Sequence, residues 1–300
     1  MINLAIKVDV DTDRGTRIGV ANLLKLFADL NIPATFLFSL GPDNTGRAIK
    51  RVFRPGFLKK VSRSSVISTY GIRTLLNGTL LPAPHIGQRN EKIMQQTYQA
   101  GHEVGIHCYD HIRWQDGLAN MTAEEVLTEF AKASTEFQRI FGFAAKTAGA
   151  AGWQANALSL AAYDNAQLLY GSDARGMQPF FPRIQHTVFN TLQIPTTLPT
   201  LDELLGRPEY PMDKLTDFYL SQLRENKPNI FTMHAEIEGM KYLTWLSTFL
   251  QKALSQNIQF TPVETVAKQC LSNRNSIPVC DLTQGPIDGR SGTMAIQGAL

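Results

Sequence analysis

Two aspartates near the start of the chain are the first residues whose types and spacing could carry out chemistry. Asp9 and Asp11 lie two residues apart at the end of an apolar segment. Side chains alternate between the two faces of a strand, so both carboxylates would project to the same side. Carboxylates held close together repel, and such a pair usually binds a cation or shares a proton. In the alternative interpretation, Asp11 and Asp13 only cap a turn or the following helix.

A pair of histidines four residues apart is the second candidate. On a helical turn, this spacing of His107 and His111 places both imidazoles on one side, as in many zinc sites. Alone the pair is weak evidence, because packing also produces it. With a carboxylate from the C-terminal end of another strand, it would complete a three-ligand site that leaves positions open for water and substrate. An open site of this kind is usually catalytic.

A third candidate is His234, which follows the apolar run 230–233. It would therefore sit at the C-terminal end of a strand, where barrel enzymes place their catalytic groups. The alternative is a structural histidine held by hydrogen bonds.

The elements that must position these residues alternate between strands and helices. We predict a strand over 3–10, an amphipathic helix over 16–30 and a second apolar strand over 34–40, which make a βαβ unit. An uninterrupted apolar strand is typical of a parallel sheet covered on both faces. Further strands are predicted near 103–107, 144–148, 168–172, 187–194, 229–233 and 259–261. The pattern favours a parallel barrel or a doubly wound sheet.

The end of the chain differs in composition from the rest. From residue 272 onward, apolar content falls and Gly, Ser, Asn and Asp become frequent. We therefore predict a barrel domain over 1–271 and an extended or disordered tail over 272–300.

Basic residues are concentrated in one stretch of the chain. The net charge of +3 is too small to indicate nucleic-acid binding, but residues 45–90 contain no acidic residue. Each Lys or Arg near an anionic leaflet contributes about 1 kcal/mol of attraction, and this amphipathic insertion also carries apolar side chains. An ordinary solvated insertion is the alternative. The residues that we predict to contact an anionic membrane surface are Arg47, Lys50, Arg51, Arg54, Lys59, Lys60, Arg63 and Arg73.

The sequence also bears on location. The aspartates at 9, 11 and 13 interrupt the first apolar run before the apolar core of a signal peptide could form. No apolar stretch reaches the roughly 18 uncharged residues that spanning a bilayer requires. Cys108, Cys270 and Cys280 show no C-x-x-C spacing, which argues against a disulfide framework. We expect a cytoplasmic protein, peripheral on the inner membrane, and no feature indicates a protein partner.

Taken together, the candidate segments resemble the polysaccharide deacetylases with a NodB-type homology domain. The resemblance rests on the strand-end aspartates, on Gly-His-Glu-Val-Gly-Ile-His-Cys-Tyr-Asp-His at 101–111 and on Thr-Met-His at 232–234, and Pro-Ala-Thr-Phe at 33–36 adds to it. It spans roughly residues 2–266 and implies an α/β fold, a distorted (β/α)7 barrel. It also implies removal of an N-acyl group from an amino sugar.

The resemblance further implies a role for each candidate residue. Asp11, His107 and His111 would hold a divalent metal ion, either zinc or manganese or cobalt. Asp9 would be the base and His234 the acid.

The chain departs from the usual family pattern in two places. Ordinary members have adjacent aspartates, whereas Val10 separates them here, so the roles of Asp9 and Asp11 could be exchanged or shifted to Asp11 and Asp13. The usual Arg-Pro-Pro-Tyr block supplies an oxyanion-hole amide and a partner for the base. Here Lys-Thr-Ala-Gly-Ala-Ala-Gly-Trp stands at 146–153. Small residues there would leave room for substrate and for a backbone donor.

Within the family, three features are similar to the deformylases that act on undecaprenyl-phosphate-linked 4-deoxy-4-formamido-L-arabinose. They are Lys-Val-Asp-Val-Asp-Thr-Asp at 7–13, His-Cys-Tyr-Asp-His at 107–111 and the basic insertion at about 45–90. The implied substrate is a polyprenyl-phosphate-linked amino sugar, the implied products are formate and the free amine, and the implied context is lipid A modification and polymyxin resistance. One alternative is an N-deacetylase of another amino sugar or polysaccharide. Another is a membrane-associated sugar-binding protein without catalytic activity.

Overall fold

The fold is built from short parallel strands that alternate with helices. The structure, a computed structural model, describes residues 2–48 and 71–299. In that part of the chain the strands are β1 (Asn3–Val10), β2 (Thr35–Ser39), β3 (Glu103–Cys108), β4 (Thr147–Ala148), β5 (Tyr170–Gly171), β6 (Phe181–Ile184), β7 (Thr187–Val188), β8 (Leu192–Gln193), β9 (Asn229–His234), β10 (Gln259–Thr261), β11 (Val279–Gly285) and β12 (Met294–Gln297).

Helices lie between these strands, and short turns of π-helix or 3-10 helix adjoin several of them. They are α1 (Ala21–Leu30), α2 (Ile72–Leu76), α3 (Ile86–Gln99), α4 (His111–Gly117), α5 (Ala123–Phe141), α6 (Ala157–Asn165), α7 (Leu201–Leu204), α8 (Met212–Ser221), α9 (Leu243–Ser255) and α10 (Val263–Leu271). Single turns of π-helix occupy Gly15–Val20 and Ile237–Lys241, and 3-10 turns occupy Leu118–Asn120, Ala151–Trp153 and Arg274–Ser276.

The main sheet is parallel and curled into a half-barrel. Its order is β9, β1, β2, β3, β4, β5 and β8, and β10 pairs with the first residues of β1. Seven of the eight residues of β1 are buried, since the strand lies in the middle of the sheet. All these strands run in the same direction, so their carboxyl ends open on one side of the molecule.

The helices cover the sheet with an aromatic-rich core. Phe27 from α1 packs on Phe36 of β2, Phe249 from α9 packs on Phe231 of β9, and Phe137 from α5 is buried in the same core. Helix α5 begins with a capping box, in which Thr122 and Glu125 satisfy each other's backbone amides. No helix in the described ranges has the length and apolar character needed to cross a bilayer.

The C-terminal residues form part of a second, smaller sheet. Residues 272–300 are predicted to be extended or disordered, yet β11 and β12 pair with each other and β11 joins β6 and β7 in the order β12, β11, β6, β7. Cys280 and Ala295 from these strands are almost fully buried. The few apolar residues of this segment are thus spaced so that they pack on the barrel. A low apolar content does not by itself reveal this spacing.

Two turns of π-helix hold the loops after β1 and β9 together. A Cβ atom on Gly19 would lie 2.1 Å from the carbonyl oxygen of Ala235, and one on Gly239 would lie 2.7 Å from the carbonyl oxygen of Gly19. Turns of this kind are frequent at functional sites. This glycine contact sets the spacing of the two strand ends that carry Asp11 and His234.

We therefore predict that Gly19→Ala destabilises the protein by about 1–3 kcal/mol, because a backbone carbonyl must shift to admit the methyl group. Urea denaturation measures the change. Gly117→Ala is the matched control, since the nearest atom to its new Cβ is the flexible Met121 Cε at 3.3 Å. Equal stability of the two variants would contradict the close packing of the loops.

Candidate active site

An aspartate and two histidines converge at the carboxyl ends of β1 and β3. Asp11 directly follows β1, His107 lies in β3, and His111 is the first residue of α4. Oδ1 of Asp11 is 3.2 Å from Nε2 of His107 and 3.4 Å from Nε2 of His111. The sequence predicts that these three residues come together, although the histidines span a strand end and a helix start instead of one helical turn.

A hydrogen bond on the side of the ring away from Asp11 fixes the orientation of His107. Its Nδ1 lies 2.6 Å from the carbonyl oxygen of Gly149, and a carbonyl can only accept, so Nδ1 carries a proton. In the neutral ring the lone pair is therefore on Nε2, which faces Asp11. A hydrogen bond of this kind from the other ring nitrogen orients histidine ligands in metal sites.

The helix that carries His111 is also fixed at its start. Asp110 caps α4 by accepting from the backbone amides of Ile112 and Arg113, at 3.1 and 3.0 Å. Its other oxygen accepts from Asn44 at 2.6 Å.

The charges of this cluster are strongly coupled. Burial alone would raise the pKa of Asp11, but the charges of His111 and His107 outweigh it and hold the pKa below its usual range. Burial likewise opposes protonation of His107, whereas Asp9 and Asp11 raise its pKa above the ordinary value. The site thus holds an anion that positive charge must compensate.

These residues fit a divalent cation. Oδ1 of Asp11 is buried and has no hydrogen-bond partner in the part of the chain that the structure describes. Two ligand atoms bound to one ion at about 2.0–2.2 Å stand roughly 3.0–3.5 Å apart. The two measured separations from Asp11 lie in that range, and the three ligand atoms all lie within 4.8 Å of one another.

Asp9 and His234 flank the cluster on neighbouring strands. They are paired residues in the register of β1 and β9, so their side chains point to the same face. Oδ1 of Asp9 is buried without a hydrogen-bond partner among the described residues and lies 3.9 Å from Nδ1 of His107. Asp9 therefore lies beside the predicted metal ligand His107, and His234 stands opposite Asp9 on the neighbouring strand.

Asp13 belongs to a different network. Its Oδ1 accepts from Asn90 at 3.0 Å and pairs with Arg89 at 3.2 Å. This ties the end of the basic insertion to the loop after β1 and turns the Asp13 carboxylate to partners other than the two histidines.

A buried glutamate that the sequence analysis missed clamps the same loop. Oε1 of Glu236 accepts from the amides of Asp11 and Thr12 at 3.1 and 2.9 Å and from the Thr12 hydroxyl at 2.8 Å. Burial, with the Asp11 charge, raises the pKa of Glu236 well above its ordinary value.

Lys7 is a second residue that the sequence analysis left without a role. It is 1% exposed, and its Nζ lies 3.4 Å from Oδ2 of Asp9 and donates to the carbonyl of Ser172 at 3.1 Å. A lysine within a buried apolar strand indicates a paired charge, because unpaired lysines are almost never fully buried. The sequence alone carries this signal.

In the block at 146–153, two backbone amides donate hydrogen bonds to other parts of the fold. The Gly149 amide donates to Ile106, and the Ala150 amide donates to Asp173 at 2.6 Å. Burial raises the pKa of Asp173 to about 6. These two amides are thus engaged within the fold, while Trp153, at φ 53°, turns its ring towards His234.

The basic residues of the insertion are described only in part. Arg47 donates to the carbonyl of Gly78, and Arg73 is exposed on α2. The remaining membrane-contact predictions lie outside the described residues: Lys50, Arg51, Arg54, Lys59, Lys60 and Arg63.

Comparisons with known proteins identify the family of this chain and support its fold. The family model described as polysaccharide deacetylase matches residues 10–170, and the chain belongs to this family. A probable polysaccharide deacetylase from Pseudomonas aeruginosa PAO1 has a solved structure that superposes with a TM-score of 0.60 at 17% identity, covering 92% of each chain. The predicted fold class, a distorted α/β barrel of this type, is confirmed.

Two relatives match nearly the full length. A protein of Shewanella sediminis (strain HAW-EB3) is 35% identical over 298 residues, 99% of this chain and 95% of that protein. One of Wigglesworthia glossinidia brevipalpis is 31% identical over 287 residues, 94% of this chain and 98% of that protein. Both are described as probable 4-deoxy-4-formamido-L-arabinose-phosphoundecaprenol deformylase ArnD.

For the buried ion pair, we predict that Lys7→Met destabilises the protein by about 3–5 kcal/mol, because Asp9 is left buried without its opposite charge. The double variant Lys7→Met/Asp9→Asn should recover much of this loss, and denaturant unfolding of the four proteins gives the coupling energy. Lys252→Met, which breaks an exposed pair with Asp217, is the control and should change little. Additive single effects would refute the pairing.

Proposed function

We propose that this protein hydrolyses the formamide of undecaprenyl-phosphate-linked 4-deoxy-4-formamido-L-arabinose, releasing formate and the free amino sugar. The observation that carries the proposal is the convergence of Asp11, His107 and His111 beside Asp9 and His234. The two full-length relatives described as deformylases indicate the substrate.

The metal would be held by Asp11, His107 and His111. A divalent cation there would supply Lewis acidity, which lowers the pKa of a water to about 7 and stabilises negative charge on the formyl oxygen. The donor set of one carboxylate and two imidazoles suits zinc, manganese or cobalt.

Asp9 is the base in this proposal. Its Oδ2 is held by Lys7, while Oδ1 has no hydrogen-bond partner among the described residues, and so it can accept the proton of the attacking water. Attack forms a C–O bond at the formyl carbon while the carbonyl π bond breaks and its electron pair moves to the formyl oxygen; this pair re-forms the carbonyl when the C–N bond breaks.

His234 is the acid. It donates a proton to the sugar nitrogen as the C–N bond breaks, so that a neutral amine leaves in place of an amide anion. General acid catalysis of this kind contributes about 10²–10⁴ in rate.

The roles of the two histidines predict different outcomes for their variants. His107→Ala should lose the bound metal and turnover together. His234→Ala should keep the metal and lose about 10²–10⁴ in rate. Metal content by elemental analysis and formate release from the lipid-linked formamido sugar measure both. Full activity in either variant would defeat the mechanism.

The same assay distinguishes this activity from two alternative functions. An N-deacetylase of another amino sugar would release acetate from an acetamido substrate faster than formate from the formamido one. A membrane-associated sugar-binding protein would bind the lipid-linked sugar and release neither acid. Formate release that stops on chelation favours the deformylase.

We also propose that the insertion at about 45–90 contacts an anionic membrane, which is where a polyprenyl phosphate resides. In its described part, Arg73 lies next to Ile72, which is 67% exposed, and Leu80 is 81% exposed. Exposed apolar residues beside basic ones are typical of interfacial segments. Location on the cytoplasmic face of the inner membrane and a role in lipid A modification stay predictions.

Replacing Lys50, Arg54, Lys59 and Lys60 by Gln should weaken sedimentation with anionic liposomes by about 10²–10³-fold, at about 1 kcal/mol per charge. The matched control replaces the exposed Lys25, Lys92, Lys214 and Lys227 by Gln and should bind like wild type. The same loss in both variants would show that binding depends only on net charge.

A further inference from the structure

The segment 286–293, between β11 and β12, is anchored at the edge of the active site. Nη2 of Arg207 pairs with Asp288 at 2.7 Å, and Gln154 donates to the carbonyl of Thr293 at 2.7 Å. Gly289 has φ 83°, and a Cβ there would come 2.3 Å from the carbonyl oxygen of Glu203. These contacts hold the segment closely against α7.

One side chain of this segment, Arg290, reaches inward and is largely buried. Its Nε donates to Glu203 at 3.0 Å, and its Nη2 donates to Thr200 at 3.0 Å and to Asp202 at 3.1 Å. Its guanidinium carbon also lies 4.5 Å from the centroid of the Trp153 ring. The planar fork of an arginine suits such a set of partners, which a lysine cannot reproduce.

Two of the groups that Arg290 contacts face His234. Oδ1 of Asp202 lies 4.0 Å from Nδ1 of His234, and the Trp153 and His234 rings stand 6.4 Å apart at 79°. Nδ1 of His234 is buried without a hydrogen-bond partner in the described part of the chain. The carboxylate and the indole therefore bound the imidazole on two sides.

We infer that Arg290 is a positioning residue for the acid step: it holds Asp202 and Trp153 so that Nδ1 of His234 faces the carboxylate and Nε2 faces the substrate nitrogen. The inference rests on the proposed function. It gives the C-terminal segment, which lies beyond the residues matched by the family model, a direct part in the active site.

The test compares full-length wild type with Arg290→Met on two substrates. With the lipid-linked formamido sugar, kcat should fall by about 10²-fold because a misplaced acid protonates the amine poorly, while KM changes little. With p-nitrophenyl formate, kcat should stay near that of wild type, since nitrophenolate leaves without a proton. Should Arg290→Met fail to fold, Arg290→Lys replaces it, with an expected kcat loss of about 10-fold.

Arg183→Met is the matched control, because it breaks an exposed pair with Asp281 of β11, the strand that precedes the segment of Arg290. It should match wild type in every assay. The ¹⁵N chemical shifts of the His234 ring should move in Arg290→Met and stay fixed in Arg183→Met, which reports the ring's orientation without turnover.

Two outcomes would overturn the inference: an unchanged kcat in the Arg290 variant, whether or not KM rises, or equal losses on both substrates. No formate from wild type on the formamido sugar would instead defeat the proposed function, and the ring shifts would still test Arg290.

Discussion

The pairing of the largely buried Asp11 carboxylate with two imidazoles is the interaction on which the rest of this structure depends. Asp11 stands at the end of β1 and faces the imidazoles of histidines from the end of β3 and the start of α4. A carboxylate charge held in such a site without a compensating cation would be costly. The parallel sheet, whose strand ends share one edge, brings these residues from distant parts of the sequence to one place.

Hydrogen bonds with neighbouring residues hold each of these three residues in place. Gly149 fixes the ring of His107, Asp110 caps the helix that begins at His111, and Glu236 clamps the loop of Asp11. Because these side chains are already held in place, substrate binding does not have to order them. Lys7 extends the principle to Asp9, which forms a buried pair with a cation from its own strand.

The sequence predicts the strand ends and their candidate residues well, because apolar runs and the alternation of side chains are local properties. It predicts β1 and β10 with their observed bounds. It could not assign partners such as Asp202 and Arg290, which lie 88 residues apart and meet only through the fold. The docked C-terminal strands were missed because their burial depends on a surface that other segments build.

The most direct measurement is anomalous diffraction, at the cobalt absorption edge, from crystals of the protein prepared with cobalt. The expected result is one strong peak bound by Asp11, His107 and His111, with Asp9 beside it and not coordinated. A peak bound instead by Asp9 and Asp13, or no peak near the two histidines, would contradict it.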